Sequence, residues 1–598
     1  MGKLEDFAAI LRRDSLEATT VAGSGHPTSC LSCAEIMSVL FFDEMKYDVK
    51  NSHNPDNDEF ILSKGHAAPI LYSALYRAGC IKTKLSTLRK LNSPLEGHPV
   101  PCSLDWVKAA TGSLGQGLSI GVGMALAAKI QNRKFRTYVL LGDGEVAEGS
   151  IYEALELAVK YKLNNLVAIV DVNRLGQSGE TLVGHNIEEY KKRFSGFGCM
   201  VIMIDGHNIN QILKAFKDAR KSTKPVVILA KTFKGRGVYF LENKEGWHGR
   251  VLKPKELKMA LKEIPNHKIY YIKIKKPVKI FRKIKKQTLK TINYNSEEIS
   301  TRKAYGETLA KLAKSDSSVI AIDAEVSNST YSSEVKKARP KQFIEAFIAE
   351  QNMIGMALGL SVKGYNVFTS SFAAFLSRAH DQIRMAAISN GDITFCGSHV
   401  GVSTGEDGAS QMGLEDISIF RSLPNSYVFY PSDAVSTQKL TIACSKIRGI
   451  KYLRTTRQKT KIIYNNLEKF PVGDFKILKK SNNDKAVFVG SGITTHEALE
   501  AYEKLKNVAV VDIYSIKPFN YNKFFNFVKS HGGKIILAED HRPEGGIGEM
   551  VLEGLSGTNI KIKHLSIKEI PHSGKGKELL KKYGVDASAY VRAFKGEW

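Results

Sequence analysis

Two polar turns, each following a run of apolar residues, have the residue types to bind a metal ion. Asp143 lies in a Gly-Asp-Gly-Glu turn after the run YVLL, and Asn173 follows the run LVAIVDV one helix and one strand later. Because parallel strands end at the same edge of a sheet, we expect both side chains to lie at that edge. A carboxylate, an amide oxygen and the carbonyl of Leu175 are ligands that Mg²⁺ accepts, together with phosphate oxygens and water. The alternative interpretation is a generic Gly-Asp-Gly turn.

A glycine-rich segment, residues 110–117 (ATGSLGQG), precedes a helix of small residues. Backbone N–H groups at such a helix start bind anions, and glycine lets a diphosphate approach the main chain. The segment is not a dinucleotide fingerprint, because G-x-G-x-x-G would need glycine at Ile120, and the sequence contains no G-x-x-x-x-G-K-[ST]. The pattern therefore disfavours nicotinamide-dependent and nucleotide-hydrolysing enzymes.

Five of the chain's 15 histidines lie in Gly-flanked turns and not on apolar faces. They are His26, His66, His98, His248 and His399. A single histidine of this kind is usually structural. Five in the loops of an α/β protein indicate a polar pocket that binds hydroxyl groups and moves protons.

Apolar strands alternate with amphipathic helices along most of the chain, which predicts an α/β fold of three tandem, doubly wound, mostly parallel sheet domains. We expect the first domain at 1–265 and the second at 299–465. Residues 466–598 form the third. Residues 266–298 lack the alternation and are interpreted as a basic linker.

The composition, with 43% hydrophobic and 25% charged residues, is typical of a globular enzyme. No stretch approaches the roughly 18 apolar residues of a membrane helix, and the N-terminus resembles an amphipathic helix more than a signal peptide. We therefore expect a cytoplasmic protein. The seven cysteines are scattered, which disfavours a disulfide framework. Cys30 and Cys33 form a C-x-x-C that we interpret as helix packing, the alternative being metal or redox chemistry.

Much of the net charge of +27 lies in residues 268–290, and the rest comes from lysines spread along the chain. We interpret this run as part of a solvated linker, with non-specific polyanion binding as the alternative. A basic chain also suits an anionic substrate.

A series of motifs follows the order seen in transketolases. They are GSGHP, LSKGHAAP, EGHPVP, TGSLGQGLS, LLGDGE, KTFKGRG, TRKAYG, IAEQNM, SSFAAF, GSHVGVSTGEDGASQM and RTTR. They span residues 19–457, and weaker similarity continues through EDHRPEGGIGE. Each motif alone is weak, but the ordered set is specific, and the chain resembles the animal-type transketolases most closely.

This resemblance implies a reversible transfer of a two-carbon ketol unit through a thiamine diphosphate ylide, in the pentose phosphate pathway. The donor would be a ketose phosphate such as xylulose 5-phosphate, and the acceptor an aldose phosphate such as ribose 5-phosphate. It also implies Mg²⁺, which Ca²⁺ or Mn²⁺ can replace, and a homodimer with active sites at the subunit interface, without membrane binding and with nucleic acid bound only non-specifically. The alternatives are a catalytically silent paralogue that acts as a binding protein, a deoxyxylulose phosphate synthase and a 2-oxoacid dehydrogenase component.

The resemblance also assigns roles to individual residues. The metal ligands would be Asp143, Asn173 and the Leu175 carbonyl. The cofactor-binding residues would be His66, Gly112, Ser113, Leu114, Gly144, Asn173, Lys234 and Phe375. The substrate-binding residues would be His26, Ser29, His248, Arg302, Ser329, His399, Asp407, Gln411 and Arg457. The catalytic residues would be Glu350, His26, His98 and His248.

Glu350 matches the activating glutamate of the family. A protonated carboxyl group bonded to the pyrimidine nitrogen favours the imino tautomer, which then removes the thiazolium proton. Burial should raise the pKa of such a carboxyl group. His26 and His248 match the candidates for the base that deprotonates a sugar hydroxyl, and Phe375 would stack on the pyrimidine ring. Without the resemblance, Glu350 would be interpreted as a helix cap.

Overall fold

The computed structural model describes residues 2–268, 272–281 and 284–597, which form two compact units. The first unit comprises Met1–Lys283, Ile354–Lys363 and Ile388–Asn390. The second comprises Ile284–Met353, Gly364–Ala387 and Gly391–Trp598. Both units contain mostly parallel sheets and helices, which confirms the predicted α/β class.

The described strands of the first unit form a parallel sheet in the order β1-β2-β3-β5-β4. These strands are β1 (Glu59–Leu62), β2 (Thr137–Gly142), β3 (Leu166–Val172), β4 (Met200–Asp205) and β5 (Val226–Lys231). Every residue of β3 is buried, because helices cover both faces of a parallel sheet and its central strands are then apolar throughout.

The helices of the first unit surround this sheet and the loops at its edges. They are α1 (Gly2–Ala22), α2 (Pro27–Ser32), α3 (Ala34–Val39), α4 (Ala68–Arg77), α5 (Gly117–Ile130), α6 (Gly149–Lys160), α7 (Ile187–Gly196), α8 (Ile209–Ala219) and α9 (Pro254–Glu263). Short turns of π- or 3₁₀-helix are Leu40–Glu44, Gly65–Ala67, Leu85–Thr87 and Glu145–Ala147.

The described strands of the second unit form two mostly parallel sheets and a small antiparallel pair. The first sheet has the order β17-β11-β12-β10-β9-β7-β8, the second has β14-β16-β15-β18-β19, and β6 pairs with β13. The strands up to β12 are β6 (Glu298–Ser300), β7 (Val319–Asp323), β8 (Phe343–Glu345), β9 (Asn366–Phe372), β10 (Ile393–Ser398), β11 (Ser426–Phe429) and β12 (Ile450–Arg454). The remaining strands are β13 (Lys459–Lys461), β14 (Lys476–Lys479), β15 (Val487–Gly490), β16 (Ala509–Asp512), β17 (Ser515–Lys517), β18 (Lys534–Ala538) and β19 (Lys561–Leu565).

The helices that follow along the chain begin with α10 and end near the C-terminus. They are α10 (Thr301–Ser315), α11 (Ser327–Thr330), α12 (Ser333–Ala338), α13 (Glu350–Val362), α14 (Ala373–Leu376), α15 (His380–Ile388), α16 (Asp416–Arg421), α17 (Ala434–Cys444), α18 (Ile493–Leu505), α19 (Tyr521–Ser530), α20 (Ile547–Gly554), α21 (Gly576–Lys582) and α22 (Ala587–Lys595). Short 3₁₀ helices are Pro340–Gln342, Ser377–Ala379, Val402–Asp407 and Ala409–Gln411.

Glycine lets two helices of the first unit pack at backbone distance. A Cβ atom on Gly359 of α13 would collide with the carbonyl oxygen of Ile120 and lie 2.8 Å from the amide nitrogen of Met124, both in α5. A Cβ atom on Gly123 of α5 would collide with the carbonyl of Met356. The small residues of α5 therefore allow close helix packing, in a helix that directly follows the candidate phosphate loop.

The basic segment is held against the first unit over part of its length. The Tyr47 N–H donates to the carbonyl of Lys275 at 2.9 Å, and the Ile280 N–H donates to Asp56 Oδ2 at 2.9 Å. Neither residues 272–281 nor residues 284–297 contain a helix or strand. Residues 269–271 and 282–283 of the predicted linker lie outside the described residues.

The C-x-x-C pair is buried in the core of the first unit. The Cys30 thiol donates to the carbonyl of Ala67 at 3.7 Å, and the Cys33 thiol donates to the carbonyl of Ser29 at 3.5 Å. Burial raises the pKa of Cys30 to about 11, which disfavours the reactive thiolate. Among the described residues, no helix has the length and apolar character needed to cross a membrane.

The packing of α5 on α13 predicts a large effect of one methyl group. Gly359→Ala should lower the thermal unfolding midpoint by several degrees, because overpacking costs about 1–3 kcal/mol and no flexible side chain can move aside. Gly196→Ala is the control, since its Cβ would meet nothing within 4 Å. Calorimetry that finds the two variants equally stable would contradict this account of the interface.

Candidate active site

The two turns predicted to bind a metal lie side by side at the edge of the first-unit sheet. Asp143 follows β2, and its Oδ2 accepts a hydrogen bond of 2.6 Å from the Arg174 N–H, next to Asn173. The Asn173 amide donates to Asp171 Oδ2 at 3.2 Å. Burial and the nearby Asp171 raise the pKa of Asp143 to about 6, so a cation bound here would stabilise its charged form.

Two buried lysines lie at this edge of the sheet. Lys64 forms an ion pair with Asp171 and donates to the carbonyl of Ser29 at 3.0 Å. Lys234 donates to the carbonyl of Leu175 at 2.6 Å, and its Nζ lies 2.7 Å from His248 Nδ1. Burial and the charge of Lys64 lower the pKa of Lys234 to about 7. An anion beside Lys234 would stabilise the charged form of this side chain and raise its pKa again.

Four of the five predicted loop histidines converge in the first unit. The His26 ring lies 5.2 Å from the ring of His66, 6.3 Å from that of His98 and 5.2 Å from that of His248, between centroids. Burial, followed by nearby cationic side chains, lowers the pKa of His26 to about 4 and that of His248 to about 3. These imidazoles are therefore neutral at pH 7 and can accept protons.

The predicted phosphate loop is built against these histidines. Gly112 has φ +124°, and a Cβ there would lie 2.6 Å from the ring of His98. The next turn is braced by Glu145, whose Oε1 accepts a hydrogen bond of 2.9 Å from the Gly115 N–H. Leu114 lies on this loop and is 37% exposed.

The first-unit site fits a diphosphate and a divalent cation. Within the described part of the chain, His26 Nδ1 and Ser29 Oγ are buried without a hydrogen-bond partner, so two polar atoms are left that a ligand could satisfy. The predicted metal ligands are oxygen atoms, which match the donor preference of Mg²⁺. The buried ammonium of Lys234 supplies a positive charge for phosphate.

In the second unit, Glu350 begins α13 and is 4% exposed. Its Oε2 lies 3.5 Å from Arg378 Nη1. The ring of Phe372 stacks between two predicted site residues, 5.0 Å from the ring of Phe375 and 3.7 Å from that of His399.

The predicted sugar-phosphate residues form two small groups in the second unit. Arg302 Nη1 donates to the carbonyl of Ser329 at 2.9 Å and lies 3.4 Å from His399 Nε2. Arg457 Nη1 donates to Asp407 Oδ2 at 3.0 Å. Burial and the two arginines lower the pKa of His399 to about 3. Gln411 Nε2 donates to the hydroxyl group of its neighbour Ser410 at 3.4 Å.

The structure thus divides the predicted site residues into two sets. The first unit holds His26, Ser29, His66, His98, Gly112, Ser113, Leu114, Asp143, Gly144, Asn173, Leu175, Lys234 and His248. The second unit holds Arg302, Ser329, Glu350, Phe375, His399, Asp407, Gln411 and Arg457.

Sequence reasoning missed three buried charged residues that shape the first set: Lys64, Asp171 and Glu145. Lys64 lies two residues before His66 in LSKGHAAP, and Glu145 closes the Gly-Asp-Gly-Glu turn, so both stood inside motifs already noted. Asp171 is a charged residue in an otherwise apolar run, which is itself a signal because a buried carboxylate needs partners.

Three family models match the chain in succession. They are described as the thiamine diphosphate binding domain of transketolase (residues 5–321), its pyrimidine binding domain (297–462) and its C-terminal domain (473–589). The sheet edge, the buried lysines and the histidine cluster lie within the first of these matches.

Known proteins agree over nearly the whole length. The chain is 46% identical to a transketolase of Homo sapiens and to a transketolase-like protein 2 of Mus musculus, covering 99% of this chain and 97% of each relative. A crystal structure of transketolase from Campylobacter jejuni superposes with a TM-score of 0.86 at 27% identity, covering 99% of both chains. Fold and site together define a thiamine diphosphate-dependent α/β enzyme. The chain belongs to the transketolase family.

The loop at Gly112 predicts a specific effect on cofactor binding. Gly112→Ala should raise the Kd for thiamine diphosphate at least about tenfold, or about 1.4 kcal/mol, because the new methyl group meets the His98 ring. Gly79→Ala is the matched control, since it has φ +79° but open space around its Cβ. Calorimetric titration in the presence of Mg²⁺ measures both, and equal affinities would contradict the prediction.

The histidine cluster predicts a pH effect on the cofactor-free protein. The unfolded chain protonates His26 near pH 6.5 and the folded site only near pH 4, so this residue's contribution to stability is present above about pH 6.5 and is lost as pH falls. His26→Gln should therefore weaken the loss of unfolding free energy between about pH 6.5 and pH 4. Histidine-ring NMR checks the cause, and a His26 midpoint above about pH 6 would contradict it.

Proposed function

We propose that this chain transfers a two-carbon ketol unit from a ketose phosphate such as xylulose 5-phosphate to an aldose phosphate such as ribose 5-phosphate. The observation that carries the proposal is the cluster of neutral histidines beside a buried, carbonyl-bound lysine. Such a cluster offers proton acceptors and hydroxyl ligands next to a place for a diphosphate. The arginines of the second set suit the phosphate terminus of a sugar.

Residues of the first unit would hold the cofactor and its metal ion. Asp143, Asn173 and the Leu175 carbonyl would bind Mg²⁺, for which Ca²⁺ or Mn²⁺ can substitute. Lys234, now bonded to that carbonyl, would turn to the diphosphate. The remaining diphosphate ligands would be His66, Gly112, Ser113, Leu114 and Gly144. When bound, thiamine diphosphate supplies a nucleophilic carbon that accepts the two-carbon unit.

His26 and His248 would move the proton of a sugar hydroxyl. Their lowered pKa values keep both imidazoles neutral, so that each can accept a proton at a nitrogen atom. Lys234 contacts His248 at Nδ1, and the ring also hydrogen-bonds to the backbone of Gly176, so both contacts orient the imidazole. His98 and Asp407 would bind hydroxyl groups of the two-carbon unit, and Ser29 would bind the substrate beside His26.

Residues of the second unit would activate the cofactor and bind the sugar phosphate. Glu350 is buried at the start of α13, where its carboxyl group would bond to the pyrimidine ring. Phe375 would stack on that ring. The phosphate terminus would be bound by Arg302, Ser329, His399 and Arg457, with Gln411 beside them.

We infer that the active sites lie at the subunit interface of a homodimer, as the resemblance to transketolases implies. We also propose domains at 1–265, 299–465 and 466–598, joined after the first by the basic linker at 266–298. The thiols of all seven cysteines are free, which suits a cytoplasmic enzyme of the pentose phosphate pathway. Membrane binding is not part of the proposal, and nucleic acid would bind only non-specifically.

The decisive experiment measures formation of sedoheptulose 7-phosphate from xylulose 5-phosphate and ribose 5-phosphate, with and without thiamine diphosphate and Mg²⁺. Product should form only with the cofactor. Glu350→Gln and Glu350→Ala should lower kcat at least about a hundredfold, because the carboxyl proton is lost. Glu500→Gln, at an exposed carboxylate of α18 paired with Lys504, is the control and should leave kcat unchanged.

The same assay separates the alternatives. Cofactor binding without any product would favour a silent paralogue. Decarboxylation of a 2-oxoacid in place of ketol transfer would favour a deoxyxylulose phosphate synthase or a 2-oxoacid dehydrogenase component.

A further inference from the structure

Residues 399–413, here called the substrate loop, carry three of the predicted substrate-binding residues: His399, Asp407 and Gln411. The two ends of the loop are joined by backbone hydrogen bonds. The Gly401 N–H donates to the Gly413 carbonyl at 2.8 Å, and the Gly413 N–H donates to the His399 carbonyl at 3.0 Å. The position of the loop therefore depends on what holds its closed base.

A fully buried arginine binds one end of this base. Arg454, the last residue of β12, donates from Nη2 to the Gly413 carbonyl at 3.0 Å. Its Nε donates to Asp416 Oδ2 at 2.8 Å, and its Nη1 donates to Asp540 Oδ1 at 2.8 Å. The guanidinium also lies over the ring of Tyr430, with its carbon 4.5 Å from the ring centroid.

Asp540 contacts the other end of the base. Gly401 has φ +69°, and a Cβ atom on it would collide with the carboxylate of Asp540. Two further residues of the same segment bind the chain just beyond the loop. The Ile417 N–H donates to His541 Nε2 at 3.2 Å, and the Arg542 N–H donates to the Leu414 carbonyl at 3.0 Å.

The same strand end that binds the base also reaches the tip of the loop. Arg457, three residues after Arg454, donates to the Thr404 carbonyl at 2.8 Å and to Asp407 at 3.0 Å. A change in the position of Arg454 would thus be passed to both the base and the tip. A buried ion cluster is weak support for stability, since desolvation opposes it, which favours a role in fixing geometry.

We propose that Arg454 is a positioning residue for the sugar phosphate, which together with Asp416 and Asp540 fixes both ends of the substrate loop. The inference rests on the proposed function, and it gives the segment EDHRPEGGIGE, which sequence reasoning left without a role beyond packing, a part in substrate binding. Arg454 itself is buried beneath the loop and acts through His399 and through Arg457, which bonds to the tip of the loop.

The test compares Arg454→Met with wild type on two ketose donors, xylulose 5-phosphate and unphosphorylated erythrulose. We expect the KM for xylulose 5-phosphate to rise at least tenfold with kcat changed less than threefold, and kcat/KM to fall at least fivefold more for xylulose 5-phosphate than for erythrulose. Lys451→Met is the matched control, a buried cation on the same strand that pairs with Asp392. An equal loss on both donors, or an unchanged KM, overturns the proposal.

Hydrogen–deuterium exchange of the cofactor-bound protein tests, without relying on turnover, whether Arg454 fixes the substrate loop. Amides of residues 400–413 should exchange at least tenfold faster in Arg454→Met and at the wild-type rate in Lys451→Met. Unchanged exchange overturns the proposal even if the wild-type protein transfers ketol units. Faster exchange supports the role of Arg454 in fixing the loop even if the wild-type protein transfers none. If Arg454→Met fails to fold, Asp540→Asn, which keeps the side chain's size, is measured in the same two ways with the same outcomes.

Discussion

The carboxylate of Asp171 holds together the loops that form the first-unit site. It forms an ion pair with Lys64 and accepts hydrogen bonds from the hydroxyl groups of Ser32 and Thr232 and from the amide of Asn173. These partners come from α2, from the turn after β1, and from the ends of β3 and β5. Each stands close in sequence to a predicted site residue, so one buried charge sets the relative positions of several functional loops.

The protonation states of Asp171 and the nearby lysines follow from the balance between burial and ion pairing. Burial alone would raise the pKa of Asp171, but the charge of Lys64 and the hydrogen bonds from Lys64, Ser32 and Thr232 outweigh it and lower that pKa. Lys64 stays charged for the same reason. Lys234 lies nearby with carbonyl and imidazole partners, and its pKa falls to about 7. The two lysines therefore differ in role. The charge of Lys64 is balanced by Asp171, whereas Lys234 has carbonyl and imidazole partners and can still bind an anion.

The placement of the site could be predicted from the sequence because it depends on strand order. Asp143 and Asn173 follow successive parallel strands, so their meeting at one edge required only that β2 and β3 be neighbours. The convergence of the histidines could be expected in kind but not in detail. Loops approach one another through contacts far apart in sequence, as when Lys64 meets Asp171 across 107 residues, and no local pattern encodes such a pair.

The fold class was equally accessible, since apolar strands alternating with helices leave few topologies. The role of the C-terminal part could not be predicted from the sequence, because its segment EDHRPEGGIGE has no recognisable pattern of ligands. The structure explains why this part can serve a site formed by another sheet. Strand β17 (Ser515–Lys517) crosses to pair antiparallel with β11, and Arg454 at the end of β12 bonds to Asp540, which follows β18. The two sheets of the second unit are thus linked by β17, which follows β16 of one sheet and pairs in the other, and by a buried ion cluster, and a loop of one is fixed by a carboxylate of the other.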